Sequence, residues 1–124
     1  MKRGEVWTVS GGKDYVGKPR PAVIIQDNNF TSTDSITICA FTTDDTDAPL
    51  LRLLIEADPQ NGLKSDSRLM VDKITTVPKS KIGSLLGKLN DEDMVKLNQA
   101  IFVFLGLAIS PREKKISKFS KIRT

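Results

Sequence analysis

A few residues of this 124-residue chain have the chemistry to act on a phosphate. Arg20 lies in GKPRPAVII, residues 17–25, between Pro19 and Pro21 at the mouth of an apolar run. A guanidinium stays protonated and offers two parallel bonds to a phosphate. Pro21 pushes Arg20 toward extended backbone, and Pro19 fixes the residue before it. A fork aimed in advance needs less ordering when the substrate arrives. Thr42 and Thr43 end a second apolar run, ICAFTT. A threonine hydroxyl is too weak an acid to be a base unaided, so the natural role of Thr42 is a hydrogen bond to a non-bridging phosphate oxygen. Asp14 supplies a carboxylate that can accept a proton, and Lys18 a cation for a phosphate. Each also has an ordinary reading, as a solvated loop residue or a strand threonine.

Absences narrow the chemistry further. The chain has no histidine and one cysteine, Cys39. Imidazole is removed from every mechanism, and neither a disulfide framework nor a cysteine zinc cluster is available. The acids of DDTD, residues 44–47, would suit a hard cation such as magnesium, but a solvated turn is the simpler account. The expectation is no metal and no cofactor. The opening MKRGEVWTVS lacks the apolar stretch of a signal peptide, and no segment approaches the roughly 20 apolar residues of a membrane span. A soluble, cytoplasmic protein is expected, with no membrane partner. The net charge of +4 is unevenly placed. Residues 110–124 hold six Lys or Arg against one acid, a net +5, which leaves −1 for residues 1–109. Such a tail reads as disordered and adds salt-sensitive attraction for nucleic acid.

These residues must be positioned by mostly extended structure. EVWTVS alternates as a half-buried strand, and SGGKDYVGKP follows as a glycine-rich loop. AVIIQ and ITICAFTT read as buried strands, the second rich in β-branched residues. LLRLLIEA resumes extended structure, SRLMVDKITTVP makes one or two strands, and KIGSLLGKL makes a short strand between glycine breaks. The period then changes. Asn90 reads as a helix N-cap with Asp91, Glu92 and Asp93 in the first turn. Met94, Leu97, Ile101, Leu105 and Ala108 form a stripe at helical spacing, with Phe104 beside it. The second half of this helix, AIFVFLGLAI over residues 100–109, has no polar side, which points to burial by a second subunit in preference to cover by loops of its own chain. The expected fold is mainly β with α: a small barrel or strongly curved antiparallel sheet followed by one C-terminal helix. One domain covers residues 1–109, and residues 110–124 form the basic tail.

In order along the chain, MKRGEVWTV, GKPRPAVIIQ, ICAFTT and LMVDKITTVPKSKIGSLLGKLNDEDMVKLNQAI resemble the MazF/PemK toxin family. The resemblance covers roughly residues 1–109 and leaves out the tail. It implies an SH3-like barrel of the CcdB/PemK type, a homodimer, and metal-independent cleavage of single-stranded RNA at short sequence motifs. It also implies a cognate antitoxin that lays an extended segment across the RNA groove, with any DNA contact coming only through an antitoxin complex. The family's catalytic arginine maps onto Arg20 and its catalytic threonine onto Thr42. A glutamate that several members carry five residues before the arginine is here Tyr15, with Asp14 just before it. Asp14 is therefore the candidate acceptor for the 2′-hydroxyl proton, and Tyr15 a ring for base stacking. Lys18 and Thr43 join Tyr15 as candidate substrate contacts. Another subgroup uses an arginine two residues before a late aspartate; here the aspartate is Asp72 and that arginine position holds Met70. The loops at residues 11–18 and 30–35 are expected to read bases.

Two other functions fit this barrel class. One is a toxin that inhibits a protein target such as DNA gyrase, with no nuclease chemistry. The other is a non-catalytic RNA-binding relic, conceivable because the glutamate is missing.

Overall fold

The computed structural model describes residues 1–11 and 18–107. Asp14, Tyr15 and the tail of residues 110–124 lie outside the described residues. Seven strands and one helix make up the fold: β1 Glu5–Val9, β2 Arg20–Ile24, β3 Ser35–Thr42, β4 Arg52–Ile55, β5 Ser67–Met70, β6 Thr75–Pro78, β7 Ile82–Lys88 and α1 Asp91–Phe104. SRLMVDKITTVP therefore forms two strands, separated by a 3-10 turn at Val71–Lys73. β7 runs straight through Gly83 and Gly87 rather than stopping between them. Gly87 is needed there because a Cβ would run into the backbone of Gln60 and Asn61.

Every strand pairing is antiparallel, in the order β4-β5-β3-β2-β1-β7, with β6 also on β3. The long strand β3 changes partner along one edge. Its first half, Ser35 to Ile38, bonds β6, and its end, Phe41 and Thr42, bonds β5. Among the described residues the sheet stays open, since β4 and β7 do not pair with each other. It is the mainly β fold with a C-terminal helix expected of the barrel, in a curved and unclosed form.

Both faces of the sheet are apolar, which accounts for the continuous runs in β2 and β3. One face carries Val6, Val23, Cys39, Phe41, Ile55 and Leu69, packed with Leu97 of α1. The other carries Val9, Ala22, Ile24, Ile36 and Ile38, with Trp7, Val77 and Ile82 against them. Burial pushes the Cys39 thiol up to about 12, with the Arg52 charge opposing, so this cysteine is inert packing. In the opening MKRGEVW the first arginine is structural. Arg3 donates from Nε to the Ile25 carbonyl at 2.8 Å and from Nη2 to Asn98 Oδ1 at 2.8 Å, tying the N-terminus to β2 and α1.

The helix starts as the sequence predicts. Asn90 Oδ1 accepts from the Asp93 amide at 2.7 Å. It stops earlier than the apolar run suggests, at Phe104. Gly106 takes φ +75, its amide donates to the Val103 carbonyl and that of Leu107 to Phe102. This is a Schellman closure, and glycine adopts its left-handed position without a Cβ penalty. Leu97 is fully buried, and Met94, Ala100 and Ile101 pack on the core. Leu105, expected on the buried stripe, is the C-cap and is 57% exposed, and Ala108 lies outside the described residues.

Candidate active site

β2 begins at Arg20, and its first two residues bond β1 alone: Val9 pairs with Arg20 and Thr8 with Pro21. The pairing with β3 starts only at Ala22 opposite Ala40. Pro21 has no amide hydrogen to give a ladder, so the start of a strand is where it is tolerated. Continuing the register by two residues sets Thr42 level with Arg20. Side chains two apart share a face and level pairs share it too. Arg20 and Thr42 therefore rise side by side from neighbouring strands.

A cavity of about 280 Å³ opens on this face, and its walls include Arg20, Ala40, Met70, Lys73, Thr75 and Lys81. Its floor is the apolar row Val9, Ala22 and Ile38. Three cations thus stand around an apolar hollow, although the first 109 residues carry a net charge of −1. Lys18 is exposed just before β2. Thr42 stands one step further along β3, half-buried. Its Oγ1 accepts the Asp44 amide at 3.1 Å. With that lone pair engaged by the turn, the hydroxyl hydrogen is free to point outward, which suits a donor rather than a base.

Thr43 does not join them. It is exposed and lines a separate hollow of about 360 Å³ with Thr8, Pro21, Lys64 and Ser65. It lies just past the end of β3 and faces that hollow instead. Asp14 and Tyr15 fall outside the described residues, so the fold neither joins them to the site nor separates them from it.

The late aspartate has a structural partner. Asp72 forms an ion pair with Arg52 across the β4–β5 edge. In the DDTD turn, Asp44 accepts from the Thr46 hydroxyl at 2.8 Å and the Thr46 amide at 3.1 Å. Those bonds hold its carboxyl below the ordinary range, helped by the charges of Arg52 and Arg68. The turn is thus built from its own side chains. Among the described residues, no group of three acidic or cysteine side chains is placed to hold a metal ion.

Sequence reasoning passed over Arg68. It stands directly opposite Thr42 in the β3–β5 pairing and is half-buried. Its alternation with buried Leu69 marks it as outward-facing, but its proximity to Thr42 depends on which strand β3 chooses as partner.

Comparison with known proteins identifies the family. The PemK-like, MazF-like toxins of type II toxin–antitoxin systems match over residues 2–105. A protein of Mycolicibacterium smegmatis named "Probable endoribonuclease MazF" is 51% identical over 108 residues, spanning 87% of this chain and 99% of that protein. Among solved structures, a mycobacterial endoribonuclease in complex with its cognate antitoxin superposes with a TM-score of 0.72 at 24% identity, covering 89% of this chain and 99% of that one. A MazE–MazF complex from Deinococcus radiodurans gives 0.71 at 15% identity, covering 86% and 96%. At those identities the structures speak to the fold alone. None of these matches favours the gyrase-directed alternative. With a matching sequence across the whole described fold, the chain belongs to the PemK-like, MazF-like toxins of type II toxin–antitoxin systems.

Proposed function

We propose that this toxin is a metal-independent endoribonuclease that cleaves single-stranded RNA at short motifs and is held inactive by a cognate antitoxin. The observation that carries the reading is Arg20 in the wall of a cation-lined cavity, with Thr42 level with it when the β2–β3 register is continued. The 2′-oxygen attacks phosphorus, the bond from phosphorus to the 5′-oxygen breaks, and the 2′ proton passes through the acceptor to the leaving oxygen. The products are a 2′,3′-cyclic phosphate and a 5′-hydroxyl. Arg20 stabilises the negative charge that builds on phosphorus, and Thr42 donates to a non-bridging oxygen. Asp14 takes the 2′ proton, Tyr15 stacks on a base, and Lys18 and Thr43 contact flanking RNA. The active form is a homodimer in the cytoplasm.

The test is a cleavage time course with thermal melts and end analysis of the products. Arg20→Ala should lower the rate about 100- to 1,000-fold while changing RNA affinity far less. Arg20→Lys should recover little, because an ammonium lacks the two-pronged contact. Thr42→Ala should cost less, since a neutral donor contributes less than a charged one. Cleavage should persist in excess EDTA. Full activity in Arg20→Ala, or loss of cleavage with EDTA, defeats this mechanism.

A further inference from the structure

Four strands set a row of side chains on one face. Val9 of β1 is level with Arg20 of β2, Thr42 of β3 follows by the continued register, and Arg68 of β5 is the bonded partner of Thr42. Thr42 therefore sits between two arginines, one from each neighbouring strand. Adjacent strands are about 4.8 Å apart, which puts the two arginine backbones roughly 10 Å from each other. An arginine side chain is long enough to span that gap from either side.

The surroundings distinguish Arg68 from the other arginine at this edge. Arg52 is committed to Asp72. Among the described residues, Arg68 has no carboxylate within ion-pair distance. The nearest acidic turn offers Asp44, whose Oδ1 is already bonded to Thr46. Leu69 beside it is fully buried in the core, so the backbone of β5 is anchored while the guanidinium stays on the open face. This is a rigidly mounted cation next to the one hydroxyl already assigned to the phosphate.

We infer that Arg68 is a second phosphate-binding catalytic residue, closing a clamp with Arg20 over Thr42. The inference rests on the reading of this site as an RNA-cleaving one. A phosphodiester carries one negative charge before attack, and the five-coordinate species formed by the 2′-oxygen approaches two. The two guanidinium groups together match the charge of that species better than the charge of the ground state. An interaction realised mainly in the transition state raises the rate at saturation more than it tightens binding.

The experiment compares wild type, Arg20→Ala, Arg68→Ala and Arg68→Lys in single-turnover cleavage at saturating protein. Affinity is read with the same RNA carrying a 2′-deoxy nucleotide at the cleavage site, and thermal melts run alongside. Arg68→Ala is expected to lose about 100-fold in rate with an unchanged melt and affinity within a few-fold. Arg68→Lys is expected to recover little, and added guanidinium to raise the rate of Arg68→Ala but not of wild type. A saturating rate equal to wild type, with weaker binding and a salt slope smaller by about one, makes Arg68 a contact to a flanking phosphate and overturns the inference. Loss of rate together with a lowered melt in both Arg68 variants, and no guanidinium rescue, makes it structural and also overturns it. If Arg20→Ala is impaired and Arg68→Ala is not, this inference alone falls. If wild type cuts no RNA, the reading of the site falls and takes the inference with it.

Discussion

Arg20 owes its place to its neighbours in sequence. The prolines restrict the backbone, and the strand start leaves the guanidinium at a rim instead of inside the sheet. The donor role proposed for Thr42 rests on the Asp44 amide, which occupies its acceptor side. A different residue sits at an electrostatic disadvantage. Asp93 opens the helix in a hollow shared with Glu56, Asp58 and Glu92. Its carboxyl is held above the ordinary range, first by partial burial and then by the charges of Glu92, Asp58 and Glu56, against the pull of Lys96. A carboxyl whose folded pKa is raised favours folding below its unfolded value, and that contribution is lost as pH rises through the folded one. Asp93→Asn should therefore raise the melting temperature at neutral pH, with the gain disappearing below the ordinary aspartate pKa. Melts across that pH range check it, and an Asn variant that is less stable at neutral pH contradicts it.

At the scale of elements, the segment from β4 to β5 depends on one buried amide. Asn61 is 1% exposed. Its Oδ1 accepts the amides of Asp58 at 3.1 Å and Leu63 at 3.0 Å, and its Nδ2 donates to the Glu56 carbonyl at 2.8 Å. Removing it leaves buried backbone groups without partners. Asn61→Ala should destabilise by about 2–4 kcal/mol, read as a lower urea midpoint. The loop also lies against β7, where Gly62 and Gly87 permit backbone contact, so the loss should loosen the hollow lined by Thr43 and Lys64 more than the Arg20 cavity.

For the whole molecule, the apolar end of α1 is the surface that lacks cover. Phe102 is 49% and Leu107 70% exposed, with Phe104 and Leu105 also open. Isolated exposed hydrophobic residues are ordinary, but a cluster at one helix end is the kind of surface a second chain can cover. If a second copy covers it, Phe102→Glu should shift the protein toward monomer in light scattering. A wild-type protein that stays monomeric at micromolar concentration removes this claim. The basic stretch acts at the same scale. Truncation after Ile109 removes a net +5. It should leave the cleavage motif unchanged and flatten the salt dependence of RNA binding. A changed motif would place the tail in the recognition surface.

Much of this protein is determined by the sequence alone, because its signals are local. The prolines around Arg20, the β-branched run ending at Thr42 and the Asn90 cap act through backbone sterics and short-range hydrogen bonds, and each appears in the fold as read. The mainly β plan with a closing helix followed from the change of hydrophobic period near Asn90. What tertiary structure decided are matters of partner choice. β3 pairs with β6 along its first half and with β5 at its end, and that exchange alone brings Arg68 beside Thr42. Thr43, adjacent to Thr42 in sequence but past the end of β3, lines another hollow. Asp72 is taken up by Arg52 from a different strand. The helix ended at Phe104 because Gly106 adopted a left-handed turn that an apolar run does not announce. Register and strand partnership depend on contacts between residues far apart in the chain, which hydrophobic period and local propensity do not encode.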